Sequence, residues 1–122
     1  MFPQKTLPLL ALLLIVSIAL AACSTPIAEL PMEELPEGIK IIDADSNDGV
    51  YRATLYMVRD GDAKYYRAAV TTLATGETKN VYFDNYTNES TIEWMDNTTL
   101  KVNGISIDVT NEVYDFRTQS AK

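Results

Sequence analysis

The chain contains no histidine, which excludes a Ser-His or Cys-His catalytic couple and a His-ligated zinc site. Its one cysteine, Cys23, has no second thiol with which to close an intrachain disulfide. Basic residues are scarce: ten Lys and Arg stand against seventeen Asp and Glu, a net charge of −7. That balance argues against nucleic acid as a partner, because neutralising phosphates takes a surplus of Lys and Arg. Proline is missing from everything after Pro36, so the backbone N–H groups of residues 37–122 are all available to strand ladders. Sustained helical periodicity is missing there as well. A length of 122 residues leaves room for one folded domain.

What is present begins at the N-terminus. Met1-Phe2-Pro3-Gln4-Lys5-Thr6 carries one cation and no acid, and residues 7–22 follow without a charge. Sixteen residues make about 24 Å of helix, short of the ~30 Å hydrocarbon core. The pattern is that of an export signal and not of a spanning helix. It ends in Leu20-Ala21-Ala22-Cys23, with Leu three places before the cysteine and two small residues between. These four residues resemble the lipobox of bacterial lipoproteins. The resemblance implies a diacylglyceryl group on the Cys23 sulfur, cleavage after residue 22, and an N-acyl chain on the new amine in some cells. It implies no other cofactor. Two acyl chains, at ~0.8 kcal/mol per buried methylene, hold a protein on a bilayer where one lets go. The expected location is the extracytoplasmic face of the cell membrane. The non-acidic Ser24 permits transfer to an outer membrane in a cell that has two. With Cys23 used as a thioether, no thiol nucleophile remains.

Residues 23–38 read as a tether. Pro26, Pro31 and Pro36 recur every five residues and interrupt any helix, and Glu29, Glu33, Glu34 and Glu37 are its only charges. An extended Pro-rich spacer of fifteen residues reaches up to about 45 Å. A rival reading makes Ile27, Leu30, Met32 and Leu35 a linear motif that binds a partner.

Residues 39–122 read as an all-β domain, a small antiparallel meander of six or seven strands curled or split into a sandwich. Val, Ile, Tyr and Thr crowd the runs between Asn47-Asp48-Gly49, Asp60-Gly61-Asp62, Thr75-Gly76-Glu77 and Asn103-Gly104. A turn over Asp60 to Ala63 pairs Met57 with Tyr66, Leu55 with Ala68, Ala53 with Val70 and Tyr51 with Thr72. The reverse face then pairs Tyr56 with Arg67 and Arg52 with Thr71. A turn at residues 75–78 sets Val70 opposite Phe83. Turns at Asp96-Asn97-Thr98 and Asn103-Gly104 set Trp94 opposite Leu100, Val102 opposite Ile105 and Leu100 opposite Ile107; the Asn-Gly pair favours a type I′ hairpin. Val113-Tyr114-Asp115-Phe116-Arg117 is a last strand or a packed coil.

Residues 49–117 resemble an uncharacterised domain family of small membrane-anchored proteins and lipoproteins, mainly of Gram-positive bacteria. The matching pieces are Asp48-Gly49-Val50-Tyr51-Arg52-Ala53, Asn80-Val81-Tyr82-Phe83, Ile92-Glu93-Trp94-Met95-Asp96-Asn97, Val102-Asn103-Gly104-Ile105 and Tyr114-Asp115-Phe116-Arg117. The resemblance implies an address and a fold but no reaction.

Three constellations invite chemistry. Asp43-Ala44-Asp45-Ser46-Asn47-Asp48-Gly49 has oxygen ligands for a hard cation, but lacks Gly and Glu at the sixth and twelfth places of a helix-flanked calcium loop; an Asx turn accounts for the same residues. Arg52, Tyr56, Tyr65, Arg67 and Tyr82 fall on an outward face suited to an envelope polymer or protein, or Tyr56 and Arg67 are simply a cation–π pair. The polar loop of residues 84–90 is a second contact surface. The function expected is therefore a non-enzymatic envelope-binding module whose partners are the membrane and an envelope protein or polymer. The alternative is a small hydrolase using Glu89, Glu93 and Asp96.

Overall fold

The computed structural model describes residues 25–118; the export segment and Cys23 lie outside the described residues. Eight strands form two sheets. β1 (Ile39–Asp45), β2 (Tyr51–Asp60), β3 (Ala63–Thr72), β4 (Glu77–Asn85) and β8 (Tyr114–Asp115) make a five-stranded sheet in the order β1-β2-β3-β4-β8. β5 (Ile92–Trp94), β6 (Thr99–Val102) and β7 (Ile105–Asp108) make a three-stranded one. The all-β expectation holds, and the sheets do not close into a barrel. No helix among the described residues is long and apolar enough to cross a membrane.

Three of the expected hairpin registers are present. β2 and β3 pair from Tyr51↔Thr72 to Asp60↔Ala63, with Gly61 at φ +63° in the two-residue turn. Trp94 faces Leu100, Val102 faces Ile105, and Leu100 faces Ile107. Asn103 and Gly104 both take positive φ, 47° and 90°, as a type I′ turn demands.

The β3–β4 register differs from expectation. Thr72 pairs with Glu77 and Val70 with Lys79, not with Phe83. Residues 73–76 form the loop, closed by the Gly76 N–H on the Thr72 carbonyl with Gly76 at φ +77°. A bulge then skips Val81, so that Asn80 faces Ala69 while Tyr82 faces Ala68. The extra residue sends Val81 and Tyr82 to one face and Phe83 to the other. Uninterrupted alternation cannot place those three consecutive apolar residues.

One strand beyond the expected meander, β1, and the last strand expected within residues 113–117, β8, complete the larger sheet. β1 holds Asp43 and Asp45 in an edge strand, and the turn begins only at Ser46. β8 adds to β4 in parallel, Tyr82↔Tyr114 and Phe83↔Asp115.

One face of the larger sheet, through Ala53, Leu55, Tyr66, Ala68 and Val81, packs on Leu100, Val102, Ile107 and Val109 of the smaller sheet side. Trp94 ties the layers: its indole N–H donates to the Ala44 carbonyl at 2.9 Å and its ring stacks on Tyr51. The opposite face carries a second cluster, Val58 and Phe83 with Ile27 and Leu35. The segment expected to stand off as a tether therefore lies on the sheet. Pro26 and Pro31, with φ near −68°, each start a short 3-10 turn, Ile27–Glu29 and Met32–Glu34. The turns aim Ile27 and Leu35, 5% and 8% exposed, inward, with Leu30 and Met32 beside them. The apolar residues of the linear-motif reading thus bind this chain's own sheet. Gly38, at φ +79°, completes the approach, because a Cβ there collides with the Met57 carbonyl.

Ile27→Ala and Leu35→Ala should each lower the unfolding free energy by about 2–4 kcal/mol in urea titrations. A free spacer would leave the midpoint unmoved.

Candidate functional site

Alternation along β2 and β3 puts Arg52, Tyr56, Tyr65 and Arg67 on the face that residues 25–38 cover. Arg67 sits at its centre, 6% exposed. Its guanidinium carbon lies 3.9 Å from the centroid of the cross-strand Tyr56 ring. Nη1 donates to Asn80 Oδ1 at 2.6 Å and Nη2 to the Glu37 carbonyl at 2.7 Å. Asn80 in turn donates from Nδ2 to the Met32 carbonyl at 2.6 Å. Both of these acceptors of Arg67 are neutral, and its Nε has no acceptor. Burial pushes the Arg67 pKa below the usual arginine value, opposed by the Tyr56 phenol and the Glu37 carboxylate. A cleft of about 560 Å³ opens beside it, between the covering segment and β4.

The other expected face residues part company. Arg52 is exposed and forms a bidentate pair with Asp45, at 2.7 and 3.0 Å, whose hydrogen bonds hold the Asp45 carboxyl below its ordinary value. Tyr65 is half-buried against Phe83 and Phe116, with ring centroids at 5.1 and 6.2 Å. Tyr82 is on the opposite face, 1% exposed and stacked on Tyr114, because of the bulge at Val81. Burial raises its phenol pKa. The expected outward face is thus mostly an inward one, and Tyr82 does not belong to it.

A second arginine completes the cover. Arg117 pairs with Asp115 through Nε and Nη2, at 2.8 and 2.7 Å, and its Nη1 donates to the Leu30 and Ile27 carbonyls at 2.7 and 3.1 Å. Its guanidinium lies 4.7 Å from the Phe83 ring centroid. Nothing local to Arg117 announces its hold on the cover; the carbonyls it grips are nearly ninety residues away in the chain. Burial pushes the Asp115 carboxyl up, but hydrogen bonds from Arg117 outweigh it and leave the group below the usual range.

The acidic residues are dispersed. Asp43 pairs with Lys40, Asp45 with Arg52, and Asp48 Oδ1 accepts from the Val50 N–H and the Ser46 hydroxyl as an Asx turn. Among the described residues no group of three His, Cys, Asp or Glu converges to hold a metal ion. Glu89 lines a polar cleft of about 500 Å³ with Asp84, Asn88 and Asn103. The Tyr66 hydroxyl anchors that loop on the Thr87 and Glu89 carbonyls. Glu93 is exposed on β5, and Asp96 is committed to the Thr98 and Thr99 N–H groups of the next turn.

A carboxyl depressed in the folded state contributes stability that is complete above the ordinary carboxylate range and is lost as pH falls through the lowered value. Asp115→Asn should therefore cost about 2 kcal/mol near pH 7, and its gap to wild type should narrow as pH falls below the ordinary carboxylate range in urea titrations.

Neither the curated proteins nor the solved structures include a match to this chain. A family model does match, over residues 4–119, taking in the apolar run of residues 7–22 and the covering segment as well as both sheets. With that span of its 122 residues matched, the chain belongs to the family of unknown function DUF5412.

Proposed function

We propose that the chain is a lipid-anchored, non-enzymatic binding module on the extracytoplasmic face of a bacterial membrane. The observation that carries this reading is Leu20-Ala21-Ala22-Cys23 at the end of an uncharged run, with the chain's one cysteine at the lipid-accepting place. Two acyl chains supply the membrane affinity, and a mature charge of −8, after loss of Lys5, supplies none.

The packing of residues 25–38 supports a short leash. Ile27 is buried, and four residues of chain from Cys23 span about 14 Å at most. The Ile27 N–H donates to Asp60 Oδ2, so the β2–β3 turn is the end of the sheet held near the bilayer. Ten residues of β2 carry the opposite end about 30 Å further out. There the exposed Val50 and Leu73 are joined by a backbone hydrogen bond of 2.9 Å.

Mass spectrometry of the protein purified from membranes should find a diacylglyceryl thioether on Cys23, and Cys23→Ala should release the chain into the soluble fraction. An unlipidated residue 23 overturns the reading. Energy transfer from a labelled bilayer should be stronger to a dye at Asp62 than to one at Thr75.

A further inference from the structure

Arg52 and Arg67 of the larger sheet and Arg117, two residues beyond β8, differ instructively. Arg52 has Asp45 and Arg117 has Asp115, but Arg67, the most deeply buried of them, has no carboxylate within ion-pair distance among the described residues. A cation taken out of water costs several kcal/mol unless a counter-charge and full hydrogen bonding meet it. The Tyr56 ring, the Asn80 amide and one carbonyl meet it in part. A guanidinium has five N–H donors, of which two are used here. Its Nε is buried without a partner, and the side chain lines a cleft of about 560 Å³, within the range of small-molecule sites.

We infer that this cleft binds a small monoanionic organic acid, its carboxylate seated on Arg67 and its apolar body on the covering segment. Arginine's planar fork matches a carboxylate. Thr78, on the Arg67 face of β4, adds a hydroxyl. Met32, Leu35 and Val113 supply an apolar wall, and Tyr56 an aromatic one. Glu33 and Glu37 also line the cleft and offset the Arg67 charge, so selection against inorganic phosphate rests on the apolar wall, which a phosphate leaves unfilled. Since the covering segment contributes Met32, Leu35 and Glu37, the site is complete only while that segment is docked, and a bound acid stabilises the docked state by mass action. The inference gives a ligand class to the binding role proposed above and rests on that reading for its biology, while its chemistry is independent of the lipid.

The test is thermal unfolding of the full chain in non-ionic detergent, as wild type and as Cys23→Ser, with sodium benzoate, neutral benzamide or inorganic phosphate at matched ionic strength. Benzoate should raise the midpoint by about 5 °C or more at saturation in both proteins, and benzamide and phosphate should not. Val113→Asp, at an exposed position, should leave the midpoint without ligand unchanged and weaken benzoate about threefold or more. Arg67→Lys should bind more weakly still. No shift with benzoate, an equal shift with benzamide or phosphate, or benzoate binding unchanged in Val113→Asp would each overturn the inference. Failure of lipidation, by contrast, leaves the benzoate result in Cys23→Ser intact.

Discussion

A sheet with apolar side chains on both faces must be covered twice, and the rest of this molecule follows from that. On one side, Leu55, Tyr66 and Ala68 are met by the β5–β7 layer. On the other, Val58 and Phe83 are met by fourteen residues that contain no strand and no long helix. Such a cover has few backbone hydrogen bonds of its own, the 3-10 turns apart, so its carbonyls need donors from the sheet. Arg67, Asn80 and Arg117 supply them, to Glu37, Met32, Leu30 and Ile27.

This explains why cations lie where alternation places an outward face. The long arginine stems pack against the aromatic rings of Tyr56 and Phe83 while the guanidinium ends reach the cover's oxygens. The two sites solve the charge problem differently. Arg117 brings its own carboxylate two residues away in Asp115, whereas Arg67 relies on neutral acceptors and a π face. A cleft develops beside the second, not the first.

Much of the architecture is legible in the chain. Gly61 and the Asn103-Gly104 pair fix their turns through left-handed backbone, and once a turn is placed, strand pairing is arithmetic. The arithmetic fails at β4, since a bulge breaks the period of two and no residue type in Asn80-Val81-Tyr82-Phe83 signals it. The covering segment was misleading for a different reason. Three prolines and four glutamates describe a solvated spacer equally well, and the spacing of Ile27, Leu30, Met32 and Leu35 says that they bind something without saying what. A burial preference can be read locally; a tertiary partner ninety residues distant cannot. For the same reason Tyr56 and Arg67 could be paired from sequence, but the carbonyl of Glu37 above them could not.

The separation between Ile27 and Arg117 also orders events in time. The Arg117 guanidinium that grips the Ile27 carbonyl lies ninety positions later in the chain. A polypeptide made or threaded from its amino end must therefore present the cover long before its clasp exists. Closing that loop comes after the hairpins, whose pairings are local. Until then residues 25–38 have no clasp from Arg117. The fastening that hides Ile27 is complete only when the carboxyl-terminal residues arrive.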